Sequence, residues 1–399
     1  MVRISHRIEE ITESQTLAMT KLSRELKSQG IDVINLSIGE PDFDTPKNIC
    51  DAAYTAMNNG FTHYPPVAGF PELRSAIAQK LQKENKLPYS ANNILISNGA
   101  KHSILNVVLS ILNPGDEVLI PAPYWVSYPS LVEYAGGKPI YIASSAEQDF
   151  KITADQLKSH ISDKTRAILF SSPCNPSGSV LNYTELYDWV QVLRDYPNIA
   201  IISDEIYEKI NYNGPHISIA SFPEVFDRSI VVNGMSKGYA MTGWRMGYIA
   251  APENVVKACE KIQGLMTSGA NSVAQMASIE ALSGPQGSVI EMADTFKRRR
   301  DLFQSLLSKI PGINCNLPAG AFYLLPEVHR LFGKRTEEGE LISNAEDLSM
   351  YLLMHGHVST VAGDAFGVPN CIRLSYATSE NNLLLAAERI SLAIGKLKD

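Results

Sequence analysis

Apolar residues run through the middle of the chain in short unbroken stretches, each followed by a longer amphipathic one. The stretches Ile94–Ser97, Glu117–Ile120, Pro139–Ile142, Ala167–Phe170, Ile199–Ser203, Ile230–Val232 and Gly247–Ala250 predict strands. Between several of them the spacing turns helical, over Lys101–Leu112, Thr184–Tyr196 and Glu253–Met266. This alternation predicts an α/β fold whose open sheet is mostly parallel and flanked by helices. Ligands of such sheets bind beyond the carboxyl ends of the strands.

The pattern changes after about residue 285. A long charged helix is predicted over Val289–Lys309, and its basic run Lys297–Arg300 reads as a solvated face. Strands around Ala321–Leu325 and Ile372–Tyr376 then alternate with helices near Ala345–His355 and Ser379–Leu397. The expected organisation is a large domain over 48–285 and a smaller α+β domain built from 1–47 and 286–399. An amphipathic helix over Ile8–Gln29 is expected to pack on the smaller domain or on a partner. No internal repeat or flexible linker interrupts the chain.

Composition narrows the class of function. Of 399 residues, 45% are hydrophobic and 19% charged, as in ordinary globular proteins. A formal net charge of −7 argues against an extended nucleic-acid surface. The five cysteines form no CxxC pair, and their odd number does not fit a disulfide framework. No apolar run is long enough for a bilayer, and the N-terminus lacks a signal-like stretch. The expected location is the cytoplasm, with no membrane and no nucleic-acid partner.

Several strand ends carry polar residues that a core does not require. Ser97-Asn98-Gly99-Ala100-Lys101 follows a strand and opens a helix, where small residues let backbone N–H groups approach an anion. An ordinary strand-to-helix turn reads the same way. The nucleotide fingerprints GxGxxG and GxxxxGK[ST] are absent. The strand Ile199–Ser203 runs into Asp204-Glu205, with Tyr207 close behind. A carboxylate at a buried strand end needs a cation or hydrogen bonds; a helix cap or surface acid is the plainer alternative. The next apolar run meets Ser236-Lys237, with Arg245 eight residues on. A lysine amine with its pKa lowered can form a Schiff base, and an arginine offers a fork for a phosphate. A solvent-facing lysine is the commoner case.

Gly234-Met235-Ser236-Lys237-Gly238 also fits the G-x-S-x-G nucleophile elbow, with His329, His355 and His357 downstream. That reading ranks lower, because no HGGG-type loop precedes it and Lys237 and Arg245 would have no task. Asn175 lies in a proline-rich loop after a strand. Arg373 interrupts an apolar strand, so it meets either an internal carboxylate or a bound anion. His355 and His357 lack a third ligand cluster, so no metal site is expected.

In combination these residues resemble the class I aminotransferases of pyridoxal 5′-phosphate (PLP) fold type I, and most closely the bacterial aspartate aminotransferase branch Ib. The resemblance spans nearly the whole chain. Its motifs are Gly39–Pro46, His63-Tyr64, Ser97–Lys101, Pro123–Pro129, Asn175-Pro176, Ser203–Tyr207, Ser236-Lys237, Gly243–Gly247, Gly320–Tyr323 and Arg373–Ser375. The resemblance implies that the large domain binds PLP. Lys237 matches the Schiff-base lysine, Asp204 the partner of the pyridine nitrogen, and Tyr207 and Asn175 the partners of the phenolic oxygen. Trp125 matches the stacking aromatic. Gly99, Ala100, Lys101, Ser236 and Arg245 match the phosphate cradle. Tyr64 matches a tyrosine that reaches the phosphate of a neighbouring subunit, which implies a homodimer with shared sites. Arg373, with Asn175 and the Gly39 backbone, matches the clamp on the substrate α-carboxylate, and Trp125 borders the same space.

Two departures stand out. Gly234 occupies a position where relatives often carry a serine that binds phosphate, and Cys174 and Ser177 replace a common Asn and Thr around Asn175. The implied activity is ping-pong transfer of an amino group from an L-amino acid to 2-oxoglutarate. Lys101, Ser14 and Thr16 match residues linked to dicarboxylic substrates in this branch, which points to aspartate. Relatives that use prephenate carry a basic residue near position 12, where this chain has Thr12. Aromatic or alanine specificity and a β C–S lyase remain alternatives. A PLP-binding regulator would need a DNA-binding region, for which the N-terminal segment has no basic recognition helix.

Overall fold

The computed structural model describes residues 2–5 and 15–399, with side chains in the first helix from residue 18. The strands in chain order are β1 (Ile34–Asn35), β2 (Ile94–Asn98), β3 (Glu117–Pro121), β4 (Lys138–Ile142), β5 (Thr165–Ser171), β6 (Ala200–Asp204), β7 (Ser229–Gly234), β8 (Met246–Ala250), β9 (Tyr323–Leu324), β10 (Val358–Ser359), β11 (Val361–Ala362) and β12 (Ile372–Ser375). Strands β2 to β8 form one sheet in the order β2-β8-β7-β6-β5-β3-β4. β8 runs antiparallel to both its neighbours, and the other pairings are parallel. The α/β expectation therefore holds, and the seven predicted central strands match seven observed ones.

The reason lies in burial. All six residues of β7 are buried, and β5 and β6 are nearly so. Strands covered on both faces read as continuous apolar runs rather than alternating ones. The helices between them begin at recognisable caps. Asn182 Oδ1 accepts from the Glu185 N–H at 3.0 Å, and Glu185 Oε2 accepts from the Asn182 N–H at 2.8 Å. This reciprocal capping box starts the helix Tyr183–Leu193. Asn271 and Ser379 cap the helices Ser272–Ser283 and Glu380–Gly395 in the simpler way.

The remaining strands form two small sheets. β1 pairs parallel with β10, and β11-β12-β9 is antiparallel. The helices Gly287–Leu307, Ala345–Gly356 and Glu380–Gly395 supply much of the hydrophobic cluster around them. That cluster also takes in Ile206, Tyr207 and Ile210, from the loop after β6. The helix Gln15–Ser28 joins through Leu26, which packs with Val33 and Leu353. The remainder of the expected Ile8–Gln29 helix falls largely outside the described residues.

One expectation fails on the long helix. Lys297 and Arg298 are exposed, but Arg299 and Arg300 are buried. Arg299 Nη1 lies 2.6 Å from Asp42 Oδ1, and Arg300 Nη1 donates to the Pro318 carbonyl at 2.8 Å. A four-residue basic run covers more than one full helical turn, so it cannot all face solvent on a helix packed along one side. Here two of the four turn inward and are paired.

A second buried ionic group lies behind the sheet end. Lys80 Nζ forms a short ion pair with Glu208 and donates to Asn85 Oδ1 at 2.8 Å. Asn85 Nδ2 donates to the other Glu208 oxygen at 3.0 Å. Burial alone would raise the Glu208 pKa, but the charges of Lys80, His216 and Lys209 outweigh it and hold the carboxyl at about 2. Removing one partner of such a pair strands the other charge. Lys80→Met should therefore cost about 3–5 kcal/mol of stability. The double variant Lys80→Met/Glu208→Gln should recover part of that loss, as read from unfolding midpoints.

Candidate active site

The strands β2, β3, β5, β6 and β7 share one direction, so their carboxyl ends lie on one side of the sheet. Chain leaving these ends surrounds a cavity of about 290 Å³. Asp204 comes from β6, Ser236 and Lys237 from the turn after β7, and Ala100 and Lys101 from the turn after β2. Trp125 follows β3 and Asn175 follows β5, while Arg373 enters from β12 of the small sheet. Gly39, Tyr207 and Arg245 complete the set of predicted residues on the wall.

Asp204 is buried. Its Oδ2 accepts from the Tyr128 hydroxyl at 2.8 Å and its Oδ1 from the Ile206 N–H at 3.2 Å. Burial raises its pKa to about 6, against the lowering effect of those hydrogen bonds. Lys237 faces the same cavity. Its Nζ donates to the Gly39 carbonyl at 2.7 Å. Burial lowers its pKa to about 8; the charge of Glu40 resists this, and Arg245 and Arg373 add to it. The two groups that would do proton chemistry are thus both moved towards neutrality.

Arg373 is 2% exposed. Its Nη1 donates to Asn175 Oδ1 at 3.0 Å and its Nη2 to the Ser37 carbonyl at 2.5 Å. Its Nε has no partner, and no carboxylate among the described residues pairs with it. The rings of Tyr323 and Phe366 lie 4.8 and 4.9 Å from the guanidinium carbon. Of the two options left by the sequence, the internal salt bridge is therefore absent among the described residues.

The turn after β2 is held by close backbone approaches. Gly99 has φ +85°, and a side chain there would sit 2.4 Å from an Arg245 nitrogen. A side chain at Gly247 would meet the Ala100 nitrogen at 2.3 Å. The helix Ala100–Ile111 thus presents its N-terminus to the cavity beneath an arginine. Gly234 has a similar cause: a Cβ would stand 2.5 Å from the Met246 carbonyl, so a serine cannot fit without moving β8.

Lys101 Nζ lies 4.9 Å from the centre of the Trp125 ring. Its pKa is lowered by partial desolvation and then by the charge of Arg245. Tyr64 is 94% exposed and does not line this cavity. Thr16 belongs to the helix Gln15–Ser28, but its side chain, like Ser14 and Thr12, lies outside the described residues.

Among the wall residues that the sequence reading gives no role, two bond directly to predicted ones. Tyr128 holds Asp204, and Tyr323 bonds the Tyr207 hydroxyl at 2.7 Å, oxygen to oxygen. Both lie inside motifs quoted above. The signal for Tyr128 is its spacing: three residues after Trp125, its N–H closes a turn on the Trp125 carbonyl at 2.9 Å.

The segment carrying Asp204 is also fixed from behind. Glu205 is fully buried, accepts from the Ser218 hydroxyl at 2.6 Å, and pairs with His216 at 2.9 Å. Glu208 pairs with Lys80 as described. Asp204 and Tyr207 thus face the cavity, while Glu205 and Glu208 are anchored on ionic partners behind it. Ser236 borders the cavity, but no histidine among the described residues does, so they assemble no Ser-His nucleophile there.

Comparisons with known proteins agree with this geometry. An aspartate aminotransferase from Bacillus sp. (strain YM-2) is 46% identical over 97% of this chain and 98% of its own. A probable aspartate/prephenate aminotransferase from Rhizobium leguminosarum bv. phaseoli is 43% identical over the full length of both chains. The crystal structure of an aspartate aminotransferase from Rhizobium meliloti superposes with a TM-score of 0.97 at 40% identity, with all of both chains covered. The family model described as aminotransferase class I and II matches residues 31–390, and the chain belongs to that family.

Proposed function

We propose that the protein is an aspartate aminotransferase that works with PLP, passing the amino group of aspartate to 2-oxoglutarate. The observation that carries this reading is the set Asp204, Lys237 and Arg373, three ionisable groups around one cavity with no opposite charge among the described residues bonded to any of them. Family membership implies the cofactor, and three features support its fit. The cavity has room for a small aromatic ring. Glycine at 99 lets the Arg245 guanidinium pack against the turn, so a cation and the N-terminus of the helix Ala100–Ile111 meet at the cavity. Asp204 needs a cation that no nearby side chain supplies through a hydrogen bond.

PLP, when bound, supplies the electron sink for breaking the substrate Cα–H bond. In this reading Lys237 would hold the cofactor covalently, and its freed amine would carry the proton from the substrate Cα to the C4′ carbon of the cofactor. A pKa near 8 suits that task, since both protonation states are accessible near neutral pH. Asp204 keeps the ring nitrogen protonated. Gly99, Ala100, Lys101, Ser236 and Arg245 receive the phosphate, Trp125 covers one face of the ring, and Tyr207 and Asn175 bond its phenolic oxygen. Arg373, Asn175 and the Gly39 backbone orient the substrate α-carboxylate so that Cα–H faces Lys237.

Lys101 at the rim, with Ser14 and Thr16, serves the second carboxylate of aspartate. Tyr64 serves the phosphate site of a second copy in a homodimer, a role that its exposure and its position outside its own cavity support. Prephenate as a further amino acceptor is a second reading, supported by the Rhizobium leguminosarum relative named for it. Among the described residues no helix is long and apolar enough to cross a membrane. We place the enzyme in the cytoplasm.

Three outcomes test this function. Lys237→Ala should lose turnover and the visible absorbance of a lysine-bound cofactor, and transamination at the normal rate would overturn the assignment. A donor panel with 2-oxoglutarate should favour aspartate over alanine and phenylalanine by at least tenfold in kcat/KM, a gap of about 1.4 kcal/mol. The third test uses the cofactor-free protein. The carboxyl of Asp204 is raised from its ordinary value to about 6, so the folded state holds its proton more tightly than the unfolded state. Its contribution is therefore fully present below about pH 4 and lost as pH rises through about 6, by on the order of 2–3 kcal/mol. Asp204→Asn should flatten that part of the stability curve, and so should added PLP, whose ring cation favours the ionised carboxylate.

A further inference from the structure

Tyr323 is completely buried on β9, in register with Ser375 of β12, two residues beyond Arg373. Its hydroxyl bonds the Tyr207 hydroxyl at 2.7 Å, and its ring lies 4.8 Å from the Arg373 guanidinium. Its hydroxyl also lies against Gly39, where an added Cβ would come within 2.3 Å of the oxygen. One side chain thus touches three predicted site residues that come from three separate parts of the chain.

The direction of the hydroxyl pair follows from charge. Two hydroxyls facing each other share one proton on the line between them, and the stronger acid is the better donor. Burial raises both phenols. The Arg373 charge opposes this at both, and more strongly at Tyr323, whose ring lies 4.8 Å from the guanidinium, whereas the nearest cation over the Tyr207 ring is Lys237 at 6.0 Å. The closer cation makes Tyr323 the better donor of the pair. In that arrangement the Tyr207 proton has no acceptor among the described residues, and Tyr207 lines the cavity.

We propose that Tyr323 is a positioning residue that joins the carboxylate-binding end of the cavity to Tyr207: its hydroxyl donates to the Tyr207 oxygen and so aims the Tyr207 proton into the cavity, while its ring holds the Arg373 guanidinium flat. The proposal rests on the aminotransferase reading, in which that proton meets the phenolic oxygen of the cofactor. Two variants separate the two functions. Tyr323→Phe removes the hydroxyl and keeps the ring; Tyr323→Leu removes both.

The first readout is the pH midpoint of the visible lysine-linked band in the loaded protein. Donation from Tyr207 favours the ionised phenolic oxygen, so misdirecting it should raise the midpoint by about 0.5–1 pH unit in Tyr323→Phe. The second readout is maleate binding to the cofactor-free protein by calorimetry. Tyr323→Phe should stay within about twofold of the parent, which also shows an intact fold, and Tyr323→Leu should bind about tenfold more weakly for want of the cation–π contact. An unmoved midpoint in Tyr323→Phe, beside a titrating parent, overturns the hydroxyl role. Unchanged maleate affinity in Tyr323→Leu overturns the ring role. A parent protein with no titrating band at all removes the aminotransferase reading and this proposal together.

Discussion

The structure turns on charges kept out of water around one cavity without opposite charges bonded to them. Asp204, Lys237 and Arg373 each make hydrogen bonds only to neutral partners: Tyr128 and a backbone N–H, the Gly39 carbonyl, and Asn175 with the Ser37 carbonyl. Burying an ionised group in this way costs several kcal/mol before a ligand arrives. The expense shows in the Asp204 carboxyl, raised to about 6, and the Lys237 amine, lowered to about 8. A molecule that brought a ring cation to the carboxylate and an anion to the guanidinium would relieve Asp204 and Arg373.

Among the described residues the other buried charges each have an ionic partner. Glu205 meets His216, and Glu208 meets Lys80, one residue to the far side of Asp204 and Tyr207 respectively. The chain after β6 therefore alternates between groups left for a ligand and groups tied to the protein interior. The tied groups fix the position of the free ones. Lateral packing adds to this, because Tyr207 stands edge-on to Phe322 with ring centres 5.4 Å apart.

Much of this was legible in the sequence, for physical reasons. Central strands buried on both faces leave apolar runs that other elements do not imitate, and β2 to β8 were read within a residue or two of their ends. The two-residue strands β1, β10 and β11 carry no period, so nothing marked them. Arg299 and Arg300 were read as solvated, because local charge pattern does not reveal Asp42 or the Pro318 carbonyl waiting on a packed face. Eleven of the thirteen site candidates other than Ser14 and Thr16 belong to the quoted motifs and also line the cavity; Gly99 stands beside it under Arg245, and Tyr64 is exposed and not on its wall. Tyr128 and Tyr323 went without a role because each acts through another side chain. A contact of that kind depends on folding and not on spacing.

Where the site draws its residues from explains why it can be selective. The amine, the acid and the anion-binding turn all belong to the large sheet, whose register is set by apolar strands. Arg373 belongs to the small antiparallel sheet, whose hydrophobic cluster reaches Ile206 and Tyr207 from the other side. The distance between a substrate's carboxylate and its Cα–H is thereby matched against the packing of one apolar cluster on another. Interiors packed this closely resist small displacements, so a carboxylate seated on Arg373 fixes where the rest of the substrate can lie. Tyr323 stands at that junction, with its ring against the cation and its hydroxyl on Tyr207. In the proposed function, the geometry that holds one end of an amino acid is thus the geometry that aims a proton at the other.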